Sequence, residues 1–390
     1  MDSREYSREF FLGQGGPLYR FYLRARLAGK PTLTARRIVF FALLAWLPPL
    51  ILSAAAGNAI GGVKVPFMFD IANHIRLLVS LPLLVMSELL VDARLRKVVE
   101  GFVKSGIVAS EEIPRFDAII VSILRWRDSA VIEAALAATT LTVAHRHWFD
   151  SQLQTISTWQ AVPANDGLRL TAAGFWYAWI SMSLFQFLVL RWFFRWSLWS
   201  ILLWRVSHLR LRLLATHPDH AGGLSFLTMS GFAFAPMAVA LSTLLSGIAA
   251  GKIFFEGATL VSFQTEFIAF VVLMIVIALG PLCVFSSHLM QAKLQGWHDY
   301  GELAGRYVEE FDRKWNRKDA PDEELLGSAD IQSLADMGNS YGFVAQMRFV
   351  PFDRSTLIAL AGASILPLLP LALTIIPFNE LVAKLLGAVF

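Results

Sequence analysis

The sequence predicts an all-α fold, a polytopic bundle of membrane-spanning helices that extend into the cytosol. Three observations lead there. Of 390 residues, 56% are hydrophobic and only 16% are charged, whereas an ordinary soluble domain carries about 25% charge. Apolar stretches of about 18–24 residues recur along the chain, each long enough to cross a hydrocarbon core of about 30 Å. The segments joining them alternate between basic and nearly uncharged, as membrane topology demands.

Taken in order, residues 1–37 carry Arg4, Arg8, Arg20, Arg24, Arg26, Lys30, Arg36 and Arg37. The mixed aromatic and cationic run at 17–24 reads as a helix lying at the membrane interface. Spans are expected at about 38–56, 71–91, 129–146, 172–194, 231–250, 263–286 and 355–376. The first ends in Ser53-Ala54-Ala55-Ala56, which superficially matches a signal-peptidase site. Its long leader and the spans behind it favour a true span, bent at Pro48-Pro49. Basic residues crowd the N-terminus and segments 92–127, 195–222 and 291–354, while the other side offers only Lys64, Arg169, Lys252 and Lys384. The positive-inside rule makes the first set cytoplasmic, which gives about seven spans, an inside N-terminus and an outside C-terminus.

The stretch from Thr171 to Leu224 organises the rest. Between Ala172 and about Trp204 its only helix breaker is Gly174, so one helix of about 45–50 Å fits, longer than the membrane is thick. It delivers the string His217-Pro218-Asp219-His220-Ala221-Gly222-Gly223 to the cytoplasmic side. In segment 291–354, Trp297, Tyr300, Ala304, Tyr307 and Phe311 form one helical seam, flanked by Glu302–Arg306 and Arg306–Glu310 pairs. The sixth span therefore continues as a helix to about Arg317, broken by Asp319-Ala320-Pro321-Asp322. A capped helix is expected within 327–340, stopped at Gly338-Asn339, with a second to Arg348 ending before Pro351. No repeat or Gly/Ser linker divides the chain, so it reads as one membrane domain, with a cytoplasmic helical region built from 92–127, 195–222 and 291–354.

Several residue groups could carry chemistry. His217, Asp219 and His220 place nitrogen and oxygen donors within four residues, enough to hold a divalent metal or to accept a proton near neutral pH. The same string also reads as a helix-to-helix turn, with Pro218 stopping one helix and Asp219 capping the next. Arg191, Arg195, Arg205, His208 and Arg212 would share one face of a continuous helix, lining an anion path or meeting anionic lipid headgroups. Anchoring at a span end is the default account of such residues, with Trp192, Trp196, Trp199 and Trp204 as an interfacial belt. Within the spans, Arg76 matches Glu266 in depth and Glu133 matches Arg191, either as permeation groups or as structural ion pairs. Glu88 lies near the membrane edge. His145, Arg146, His147, Trp148 and Asp150 cluster at the far end of the third span.

Cys283 is the single cysteine, which excludes an internal disulfide. No P-loop, H-E-x-x-H or G-x-S-x-G string occurs, and no nucleic-acid motif. Inverted repeats of the kind found in secondary transporters are not apparent.

The strings at 217–224 and 327–336 resemble an HPDxAGGL-like and a GSADIQSLAD-like string shared by a group of uncharacterised bacterial multi-pass membrane proteins. That resemblance implies a bacterial inner membrane and no particular activity. In topology alone the chain is also similar to insect chemoreceptor channels, which have seven spans, an inside N-terminus and helices extended into the cytosol. The expected function is a channel or transporter-like membrane protein, a homo-oligomer in the lipid bilayer, with no resident cofactor unless the His217–His220 metal is real. The alternatives are an embedded enzyme acting on lipid or lipid-linked substrate at the cytoplasmic face, and a non-catalytic membrane assembly protein.

Overall fold

A computed structural model describes residues 10–26, 31–151, 157–164, 167–317 and 328–374. The protein is about 80% helical. A short helix α1 (Gly16–Arg24) precedes α2 (Pro31–Ala55), α3 (Ile71–Lys104), α4 (Ile113–Arg127) and α5 (Ala130–Ser151). A two-stranded antiparallel hairpin, β1 (Ala161–Ala164) and β2 (Gly167–Leu170), pairs Ala161 with Leu170. Then come α6 (Ala172–Ser207), α7 (Ser225–Glu256), α8 (Leu260–Asn316), α9 (Ala329–Gln346) and α10 (Arg354–Thr374).

Among the described residues six helices, α2, α3, α6, α7, α8 and α10, are long and apolar enough to cross a membrane. The protein is therefore a multi-pass membrane protein. The third expected span falls on α5, whose described apolar part, Ala130–Thr142, is shorter than a crossing helix. The side chains of His145, Arg146, His147, Trp148 and Asp150 lie outside the described residues, as do the expected break at 319–322 and Lys384.

Helix α6 sits at the centre, packing on α2, α4, α5 and the middle of α8, while α7 bridges α3 and α10. Its 36 residues exceed the expected length, and the first turns widen into a π-helical stretch at Tyr177–Met182. A matching stretch at Arg76–Ser80 interrupts α3 just before Pro82, whose missing N–H leaves the regular ladder one bond short. The ends of α2 and the starts of α3 and α6 meet at the hairpin. There Thr171 caps α6 through Gly174 N at 3.0 Å, and a side chain at Gly174 would meet the Gln160 carbonyl oxygen at 2.0 Å. Phe67 and Trp159, both fully buried, fill this end.

At the other end α8 runs on past the bundle to Asn316, close to the expected stop at about Arg317. Helix α9 folds back on it. Ser328 caps α9 by accepting from Asp330 N at 3.2 Å, as expected. The helix does not stop at Gly338-Asn339, however. It continues to Gln346 because Val344, fully buried, packs into the notch left by Gly296 on α8. Tertiary packing outweighs the weak local preference of Gly338 and Asn339 for a stop. The expected seam divides in the same way: the Tyr307 hydroxyl donates to Asp330 O at 3.0 Å, whereas Trp297 is exposed with the Lys293 ammonium 5.0 Å from its ring centroid.

Candidate functional site

The most deeply buried charges of the bundle gather at the end opposite the hairpin. Glu88 of α3 is the hub: its carboxylate lies 2.7 Å from Arg37 Nη2, 2.8 Å from Arg195 Nη1 and 3.5 Å from Arg191 Nη1. One helical turn on, Asp92 is equally buried. Arg191 also lies 3.6 Å from Glu133 of α5, which joins the two side chains that matched in depth in the sequence. Three arginines and three carboxylates thus share one site, with α2, α3, α5 and α6 each supplying members. Isolated, any one of these charges in an apolar interior would cost several kcal/mol, so balance is a condition for the fold. Arg37 lies in the second turn of α2, whereas Arg191 and Arg195 lie in the interior of α6. Arg191 and Arg195 are one turn apart and both buried, so α6 directs this pair at its neighbours rather than at lipid.

The second component is a loop, residues 10–15, running into α1. It is held through its backbone. Leu12 N donates to Asp92 Oδ1 at 3.0 Å, and Gly13 N donates to the same oxygen at 2.8 Å. Gly16 N reaches Asp128 Oδ1 at 3.0 Å, and Leu18 N, in the first turn of α1, reaches Glu133 Oε2 at 3.0 Å. The carbonyls are taken by cations: Phe11 O by Arg127, Gly13 O by Arg195 at 3.2 Å and Gly15 O by Arg191 at 3.3 Å. Glycine is required for this approach. A Cβ at Gly13 would stand 2.5 Å from Asp92 Oδ2, and one at Gly15 would stand 2.2 Å from both Arg127 Nε and Asp128 Oδ1. Phe10 and Leu12 anchor the loop in the core, and Tyr22 of α1 is buried with the Arg37 guanidinium 4.9 Å from its ring centroid. Burial, reinforced by the Glu88 carboxylate, pushes the Tyr22 phenol well above its ordinary range.

Some hydrogen-bonding capacity is left over. Arg191 Nη1, Glu133 Oε1 and Arg37 Nε are buried and make no hydrogen bond. Beside the first two, a cavity of about 10 Å³ is lined by Leu12, Gly15, Leu136 and Phe194, close to the space one water requires.

The other sequence candidates resolve differently. Arg76 hydrogen-bonds Asn73 at 2.9 Å and the Tyr177 hydroxyl, tying the two π stretches together. It does not meet Glu266, which is exposed near the start of α8. Helix α3 packs chiefly on α2 and α7, so matching depth on α3 and α8 does not bring side chains together. The expected continuous basic face ends early, because α6 stops at Ser207. Arg205 turns to α4, with Ser122 Oγ at 3.0 Å and the Trp126 ring centroid at 5.2 Å. His208 Nδ1 lies 2.7 Å from Trp204 O. Arg212 sits in a bridge segment, exposed and 3.8 Å from Glu111.

The loop at 217–223 forms a turn. Asp219 accepts from Ala221 N at 2.8 Å, Gly223 N at 3.1 Å and Ser225 N at 3.0 Å, with His217 Nδ1 at 2.8 Å. Burial alone would raise the Asp219 carboxyl, but these backbone donors prevail and hold it below its ordinary value. His220 turns away, its backbone left-handed at φ 53° and its ring 5.5 Å from that of Phe343. With Asp219 saturated and His220 pointing elsewhere, the metal reading of His217, Asp219 and His220 loses its geometry. Among the described residues no group of three or more His, Cys, Asp or Glu side chains is placed to hold a metal ion. The turn instead joins distant parts: Arg348 donates to Asp219 O at 2.9 Å through its side chain and to His220 O at 2.7 Å through its backbone.

The hub role of Glu88 and the loop at 10–15 were not expected from sequence. Asp92 carried one signal, a second acidic residue one turn beyond Glu88 in the apolar part of α3. The Gly13-Gln14-Gly15-Gly16 string carried the other, since glycines so close together mark close backbone approach. Compared with known proteins, the chain matches no family model, no curated protein and no solved structure.

Proposed function

We propose that the protein is a channel or transporter-like membrane protein. The observation that carries this reading is the balanced cluster of Arg37, Arg191, Arg195, Glu88, Asp92 and Glu133 inside a bundle of membrane-crossing helices. Ionisable groups at such sites mark ion or proton paths and coupling sites, and three buried polar atoms here keep unused hydrogen-bonding capacity. In this reading the cluster faces the cytoplasm of a bacterial inner membrane, with the N-terminus inside and the C-terminus outside, as the basic segments direct. The embedded-enzyme alternative has little support at 217–223, where the turn itself consumes the carboxylate.

The working form in this proposal is an assembly of identical copies. Beyond the bundle, Met290, Leu294, Trp297 and Val308 on α8 are all exposed, and Gly301 continues the same face at 4-3-4-7 spacing. Copies held in one membrane present this stripe in parallel. Exposed Arg212, near the membrane surface in this orientation, would meet anionic headgroups.

Purified protein in liposomes tests the transport reading. Ion or proton flux in the native protein, altered in Arg191→Gln of verified folding, supports it. Absence of flux across varied ions, pH and voltage would overturn it. Leu294→Glu should shift the assembly to smaller species by native mass measurement, and an unchanged mass would remove α8 as the contact.

A further inference from the structure

The loop at residues 10–15 lies across the charged cluster as a separate layer. Its hydrogen bonds with the bundle run through its backbone, to side chains of α3, α4 and α6, and the Arg96 guanidinium of α3 lies 5.4 Å from the Phe11 ring centroid. The side chains that anchor it are Phe10, whose ring centroid lies 6.5 Å from that of Trp199, and Leu12. The ion pairs beneath do not depend on it. Glu88 keeps Arg37, Arg191 and Arg195, and Arg191 keeps Glu133, with no atom from the loop in any of these pairs. Asp92 gives up its Leu12 and Gly13 donors, yet three cations still face three carboxylates if the loop leaves, so its departure uncovers the cluster without stranding a net charge. It would also uncover the cavity, which Leu12 and Gly15 help to close.

We propose that residues 10–15 are a releasable seal over the mouth of the charged cluster, closed in the state described and withdrawn when the path is open. The seal rests on the transport reading for its purpose but not for its geometry. Two kinds of contact set its strength. Gly13 and Gly15 allow the backbone to approach the carboxylates, and the neighbours Arg127 and Asp128 clamp its outer edge, each with other contacts to one another at 2.7–2.8 Å. A side chain at Gly15 or loss of the Arg127–Asp128 clamp would release the seal while leaving Glu88 and its arginines untouched.

The test uses the full chain with Cys283→Ser and one reporter, Leu12→Cys, against the exposed control Gln14→Cys. A hydrophilic, membrane-impermeant thiol reagent should label Leu12→Cys at least about tenfold more slowly than Gln14→Cys, because access requires local opening. Adding Gly15→Val, or separately Arg127→Gln with Asp128→Asn, should bring the two rates together and raise liposome flux. Equal rates before any release variant would overturn the seal, as would continued protection in both release variants when each remains folded. Faster labelling with native-level flux would overturn its gating role and leave transport standing. Flux absent throughout would overturn transport, while the labelling rates alone still decide whether the loop seats and releases.

Discussion

Replacing Glu88 by Gln isolates the contribution of the hub carboxylate. The side chain keeps its size and one oxygen, but the charge between three guanidiniums goes. Arg37, at 2.7 Å, falls back on a weak contact from Nη2 to Val85 O at 3.4 Å. Arg195 keeps Gly13 O at 3.2 Å, and Arg191 keeps Glu133 at 3.6 Å. One positive charge is left uncompensated at residues no more than 5% exposed. Removing one partner of a buried ion pair costs about 3–5 kcal/mol, and this should appear as a large drop in melting temperature and in the denaturant midpoint in detergent. The double variant Glu88→Gln with Arg37→Gln restores neutrality and should recover part of the loss, with a coupling of about 1–3 kcal/mol in a double-mutant cycle. A single-variant loss below about 1 kcal/mol, or strict additivity in the cycle, would refute the claim that charge balance governs this site.

Three further outcomes are expected. Gly174→Ala should destabilise by about 1–3 kcal/mol in the same unfolding assay, because its methyl would press on the backbone of Gln160; a neutral result would mean the hairpin end is not close-packed. Asp219→Ala should cost about 2–4 kcal/mol by leaving three backbone donors of the turn without their acceptor, with Asp219→Asn in between. Because the Asp219 carboxyl sits below its ordinary value when folded, its stabilising effect is complete above the ordinary carboxylate range. It declines as pH falls through the lower, folded value, so native protein and Asp219→Asn should converge in melting temperature under acid. Chelation should leave the melting temperature unchanged, and a fall on chelation would restore the metal reading of His217, Asp219 and His220.

The sequence by itself determined the class of fold. Runs of apolar side chains long enough to cross a bilayer can be satisfied only as helices there, so α2, α3, α6, α7, α8 and α10 were legible from hydropathy alone. The Ser328 cap and the extension of α8 were legible too, because capping and helical seams act over a few residues. Depth along a span located Glu133 and Arg191, which do meet. What depth could not supply was which helices are neighbours. Arg76 and Glu266 match in depth but sit on helices that do not pack closely, and Arg76 pairs instead across two π stretches with Tyr177. Only the tertiary structure could decide that Glu88 gathers Arg37 and Arg195, residues 51 and 107 positions away along the chain, and that an aperiodic glycine-rich loop lies over them. Its hydrogen bonds run through backbone atoms, which every residue carries, so the polar side chains of the segment do not report where it will dock.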